Sequence, residues 1–260
     1  MASYFIYDSI NMYRSDNTVS EGQMTDSGTP TFSPSDTLTS HERANDENIG
    51  TTISGVADRD AIEYAVGSSV TADAAAVYFT GDDGVSSGTI LTFFIDTSRD
   101  SGGSGLTSKG TISAVSGAGW AVASLTETTG TKFFTEFNGS VTNVSEILIG
   151  KKLNFEIEPD VNVQSSINYN NEINTSLGGV SYALNINPGQ EVITISFQNI
   201  SSTFKSNLIT MQDALKGEAT KFLYNDGSSF HWVRLDKPMT FTEIADGRFS
   251  TQLVLRQQIQ

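Results

Sequence analysis

The chain has 260 residues, no cysteine, and 30 acidic against 15 basic side chains, for a formal net charge of −15. The length suits one large β domain or two of ordinary size. Without thiols there are no disulfides, thiolate metal sites or cysteine nucleophiles, and the acidity repels phosphate backbones and anionic lipid, so neither nucleic acid nor membrane is expected as a partner.

Taken in chain order, Met1–Asp8 is apolar, is interrupted by Tyr7 and Asp8, and lacks a basic stretch, so no signal peptide is expected there. Tyr4–Ile6 reads as a short opening strand. Asp16–Asp36 is rich in Ser, Thr and Gly, contains Pro30 and Pro34, and is expected to be a long loop within an N-terminal arm, residues 1–40. Short strands follow at Asp60–Val66, Ala75–Thr80, Thr89–Asp96, Gly119–Leu125, Thr131–Phe137 and Ser145–Glu158. Glycine-bearing breakers separate them, among them Gly81–Gly84, Arg99–Gly105 and Thr128–Gly130. Many short strands at this rhythm predict a jelly roll or sandwich.

Pro159 and the Asn/Ser-rich stretch beyond it predict a linker at 159–176, between an acidic domain at 1–158 and a second domain at 177–260. Charge supports the split: residues 1–160 hold 22 acidic and 8 basic side chains, and residues 161–260 hold 8 and 7. The second domain gives strands at Val180–Ile186, Glu191–Asn199, Ala219–Tyr224, Phe230–Leu235, Met239–Ile244 and Arg248–Gln257. Asp226-Gly227 and Asp246-Gly247 supply hairpin turns. Between these strands, Phe204, Leu208, Met211 and Leu215 recur at helical spacing from Ser201 to Lys216, with Ser201 or Ser202 as N-cap and Gly217 as stop. The predicted fold is therefore mainly β: an N-terminal jelly roll or β-sandwich, then a C-terminal β-sandwich with one flanking α-helix.

Chemistry is sparse. The two histidines, His41 and His231, have no metal-ligand spacing, and no nucleophile elbow, phosphate loop or dinucleotide fingerprint occurs, so no enzyme is expected. Two acidic clusters could hold a structural Ca²⁺ through oxygen ligands: Asp46 and Glu47 in one, Asp82 and Asp83 in the other. Neither follows the EF-hand pattern, and solvated turn acids are the commoner outcome; no other cofactor is expected. Trp120 and Tyr78 are the candidates for stacking on a sugar, against the commoner fate of core packing. Phe133 and Phe134, being adjacent, are expected to split between core and contact.

The stretches Ala44–Thr51, Val77-Tyr78-Phe79, Leu91–Phe94 and Val144–Leu153 resemble discoidin-like jelly rolls, and the last resembles the ending of such modules in virion proteins of tailed phages. Strand Glu191–Phe197, the Ser201–Lys216 helix and Phe222–Trp232 resemble tail-tip or distal-tail modules. The resemblance spans most of residues 40–257. It implies a structural protein of a bacteriophage tail, assembled in the host bacterial cytoplasm and located in the virion, whose partners are copies of itself in a symmetric ring and other phage tail proteins. The rival expectation is a carbohydrate- or receptor-binding module that recognises a host surface glycan.

Overall fold

A computed structural model describes residues 3–8, 18–24, 31–34, 41, 43, 50–53, 56–80, 89–96, 106–113, 117–139, 144–159, 164–168, 171–175, 181–185 and 189–258. The fold is mainly β and antiparallel, with one α-helix among the described residues, as the strand pattern predicted. The chain forms two compact units. One lies within Ile6–Lys152; the other comprises the residues up to Phe5 together with those from Leu153 onward.

In the first unit the central strand is β4 (Asp60–Phe79), which follows β2 (Thr18–Met24) and β3 (Phe32–Pro34). It is succeeded by β5 (Thr89–Asp96), β6 (Ser108–Ser113), β7 (Gly119–Phe137) and β8 (Val144–Asn154). The strand order runs β6-β5-β7-β4. The far edge of β4 is shared: Asp60–Ala65 pairs with β2, and Ala74–Phe79 pairs with β8.

Two register shifts against β7, between Ala65 and Val70 and between Ala72 and Ala74, leave β4 one residue longer than its partner. Because side chains alternate, an odd insertion exchanges the two faces. Ile62, Tyr64 and Val66 before the shifts, and Ala75, Val77 and Phe79 after them, therefore join one core with Leu91, Phe93, Phe133, Phe137, Ile147 and Ile149. On the opposite face Phe134 packs with Phe94, Met24 and Phe32, so the adjacent phenylalanines serve two different clusters.

Three expectations are corrected here. The pairs of short strands expected at 60–80 and 119–137 are two continuous strands. Gly130 breaks neither, because it answers a close approach rather than a turn: a Cβ there would meet the Asp96 carbonyl oxygen at 2.4 Å. Asp16–Asp36 is not all loop, since it supplies β2 and β3, whose Met24 and Phe32 cover the second cluster.

In the second unit, β12 (Gln190–Ser201) leads into α1 (Ser202–Ala214), and β13 (Phe222–Asn225), β14 (Phe230–Leu235), β15 (Thr240–Ala245) and β16 (Arg248–Gln257) follow. One edge of β16 pairs with β12, and the other is divided between β14 and β15. The stretch expected as linker instead contributes β9 (Gln164–Asn168), paired with β12, and β10 (Asn171–Thr175), paired with β11 (Ser181–Asn185). β9 has no apolar alternation to betray it, because Gln164 to Ile167 are all exposed and the strand is held by backbone pairing. The division between units falls at Lys152/Leu153, and Phe155 lies in the core of the second unit.

That core is largely aromatic. Phe155 sits 4.7 Å from Phe5 of β1 (Tyr4–Asp8), 5.0 Å from Phe197 and 6.1 Å from Tyr224, measured between ring centroids. The helix adds Phe204, 5.7 Å from Phe197, with Leu208, Met211 and Leu215 buried beside it. Ser201 is its N-cap, accepting the Phe204 N–H at 3.1 Å. Lys216 and Gly217 then turn left-handed, at φ 54° and 71°, and the Gly217 N–H closes on the Gln212 carbonyl.

Two outcomes follow for stability. Leu208 is fully buried on the sheet-facing side of α1, so Leu208→Ala is expected to cost about 2–5 kcal/mol in denaturant unfolding; a loss under about 0.5 kcal/mol would place that face in solvent. Gly130→Ala should destabilise the first unit by about 1–3 kcal/mol, the range for a forced overpacking contact. An unchanged melting curve would mean that β5 and β7 are not packed this closely.

Candidate functional site

The β13–β14 hairpin builds the site. Asn225 pairs with Phe230, leaving Asp226 to Ser229 as the loop. Asn225 Oδ1 accepts the Gly227 N–H, and Asp226 Oδ1 accepts those of Ser228 and Ser229, each at 2.7 Å. Gly227 adopts φ 92°, a conformation open to glycine and costly for other residues. The loop therefore holds the Asp226 carboxylate fixed from below. Its second oxygen lies 3.1 Å from His231 Nε2.

Tyr224 is directly opposite His231 in the hairpin, with ring centroids 5.7 Å apart and planes at 28°. The Tyr224 ring also stacks on Phe155 at 17° and meets Phe5 at 53°. Three rings thus pack against Tyr224, which still reaches the wall of a cavity. The residue is 2% exposed, and its hydroxyl makes no hydrogen bond with any described residue.

These side chains line a cavity of about 380 Å³. Glu158 and Ser3 form another part of the wall, where the Ser3 N–H and hydroxyl donate to the two carboxylate oxygens at 3.1 and 2.8 Å. A third part comes from neighbouring strands, where the Ser165 hydroxyl of β9 donates to Glu191 of β12 beside Ile193. No Lys or Arg occurs among the described lining residues.

The charge states follow from this setting. Burial, reinforced by the carboxylates of Asp226 and Glu158, pushes the Tyr224 hydroxyl up to about 12, so it stays protonated at neutral pH. Partial burial opposes ionisation of Asp226, but the Ser229 N–H, the His231 ring and the Ser228 N–H together hold its carboxyl below the ordinary value. The cavity thus presents carboxylate acceptors, serine hydroxyls and one uncommitted phenol.

The residues named from the sequence lie elsewhere. Tyr78 and Trp120 are partners across β4 and β7, with centroids 5.3 Å apart and planes at 59°. Tyr78 is buried and Trp120 half-buried. Asp46, Glu47, Asp82 and Asp83 lie outside the described residues, and no metal-competent cluster of His, Asp and Glu occurs among the described ones. Tyr224, Asp226, His231, Glu158 and Glu191 were not singled out as binding residues. The available signal was local: an Asp-Gly loop with an aromatic residue before it and a histidine after it.

No family model matches the chain, and no curated protein matches it. Solved structures do match. CpGH89CBM32-5 from Clostridium perfringens, in complex with GalNAc-β-1,3-galactose, is similar over 52% of this chain and 95% of that one, at 10% identity and a TM-score of 0.35. The CBM32 of AlyQ in complex with 4,5-unsaturated mannuronic acid is similar over 46% of this chain and 94% of that one, at 17% identity and a TM-score of 0.31. Truncated AlyQ with CBM32 and alginate lyase domains is similar over 82% of this chain and 56% of that one, at 14% identity and a TM-score of 0.35. None of the three is described as a phage tail protein, and at these scores the likeness carries neither a ligand nor a site residue to this chain.

Proposed function

We propose that the chain is a saccharide-binding β protein, not an enzyme, and that the cavity of the second unit is its binding site. The observation that supports this reading is the Tyr224 hydroxyl, engaged by no described residue, in a cavity whose wall also presents the carboxylates of Glu158, Glu191 and Asp226 and the side chains of Ser3, Ser165 and Ser228. Sugar hydroxyls are the natural complement, because each donates to a carboxylate and accepts from a phenol or serine. Recognition runs through hydrogen bonds and not through stacking on Tyr224, whose ring already packs against Phe155, Phe5 and His231. The tail-structural role and virion location draw no support from this geometry, and the saccharide reading is preferred.

Calorimetric titration of the full chain with a panel of mono- and trisaccharides tests the proposal. Tyr224→Phe removes one hydrogen-bonding oxygen and should weaken binding about 2- to 12-fold, equivalent to about 0.5–1.5 kcal/mol. Trp120→Ala, in the other unit, should leave affinity unchanged. The reverse pattern would move the site to the Tyr78–Trp120 pair, and silence across the whole panel would sink the saccharide reading.

The Asp226 anchor has a separate signature. Its carboxyl is held below the unfolded value of 3.8, so its contribution to stability is complete above that pH and is lost as the pH falls through the lower folded value. The melting-temperature gap between wild type and Asp226→Asn should be present at about pH 5 and narrow as the pH falls below 3.8. A gap that persisted unchanged at the acid end would show that the charge on Asp226 is irrelevant to the loop.

A further inference from the structure

Resting on the saccharide reading, we infer that the cavity selects a sugar bearing a free primary ammonium, an unacetylated amino sugar, over neutral and anionic sugars. Two independent observations converge on this. The first is the sign of the wall: Glu158, Glu191 and Asp226 line it with no described Lys or Arg. The one other titratable nitrogen on the wall, His231 Nε2, is tied to Asp226 Oδ2. The second is Tyr224, 98% enclosed, with a hydroxyl that no described residue engages.

An ammonium group carries three donors and no acceptor, and so needs three oxygens around it. The carboxylates can supply them without giving up the contacts they already make. Ser3 uses one donor on each oxygen of Glu158, and each oxygen has a second lone-pair direction. The phenol oxygen of Tyr224 adds a neutral acceptor, and remains protonated beside these anions. An N-acetyl group fits this wall poorly, since it replaces three donors with one and brings a carbonyl towards carboxylates. A uronate fits worse, because like charges would meet in a partly enclosed space.

The probes are chitosan trisaccharide, its fully N-acetylated counterpart, cellotriose, trigalacturonate and spermidine, titrated into the full chain at about pH 5, where the sugar amines are charged and ordinary carboxylates are still largely ionised. The chitosan trisaccharide should bind roughly tenfold or more tighter than the acetylated and neutral trisaccharides, the range for hydrogen bonds to charged groups, and its advantage should shrink as salt is raised. Trigalacturonate should not bind. Glu158→Gln should lower the ratio of chitosan to acetylated affinity, and Glu191→Gln provides the same measurement if the first variant fails to fold. Equal affinity for the amine, acetylated and neutral trisaccharides would overturn the ammonium inference and leave the saccharide reading intact. No binding by any trisaccharide would overturn both. Spermidine binding as tightly as chitosan trisaccharide would overturn the sugar requirement, exposing a plain amine site.

Discussion

Phe155 is the contact on which the second unit depends. Its ring meets Phe5, Phe197, Phe204 and Tyr224, which come from β1, β12, α1 and β13. Aromatic pairs at such distances add about 0.5–1.5 kcal/mol each beyond their buried area, but the larger effect is geometric. A flat ring held from several directions fixes the elements that carry its neighbours. The backbone supports the placement, since the Phe155 N–H donates to the Ser3 carbonyl. Ser3 in turn donates twice to Glu158, so the packing that centres Phe155 also sets one wall of the cavity.

The cavity inherits its chemistry from this packing. Tyr224 packs against Phe155, Phe5 and His231 and still reaches the cavity wall. A phenol placed among carboxylates resists ionisation, and a carboxylate placed over two backbone N–H groups resists protonation. One hairpin therefore carries a neutral phenol and a fixed anion close together.

Some of this was legible in the sequence. The spacing of Phe204, Leu208, Met211 and Leu215 between Ser201 and Gly217 located α1 because an amphipathic helix writes its buried face into the chain. The bounds of β5, β14 and β16 were readable because each is flanked by turn residues. Gly130 misled because a glycine that permits close approach looks, in sequence, like one that permits a turn. β9 was hidden because an exposed edge strand needs no apolar pattern. The cavity was illegible for another reason: Ser3, Glu158, Glu191 and the 224–231 hairpin are distant in the chain, and only the fold brings their carboxylates and hydroxyls together.

The membership of the second unit has a consequence for its biogenesis. Phe5 is made more than 200 residues before its ring partners Phe222 and Tyr224. At ordinary translation speeds the interval is on the order of 10–40 s. Throughout it the apolar Tyr4-Phe5-Ile6 segment lacks part of its final company, while the long β4–β7 pairing is already available to form. Completion of this unit is thus a late event, timed by the ribosome and not by the intrinsic rate of collapse. A chain interrupted before β13 would carry its Tyr4-Phe5-Ile6 segment only partly sheltered, a feature by which chaperones and proteases can tell an unfinished molecule from a finished one.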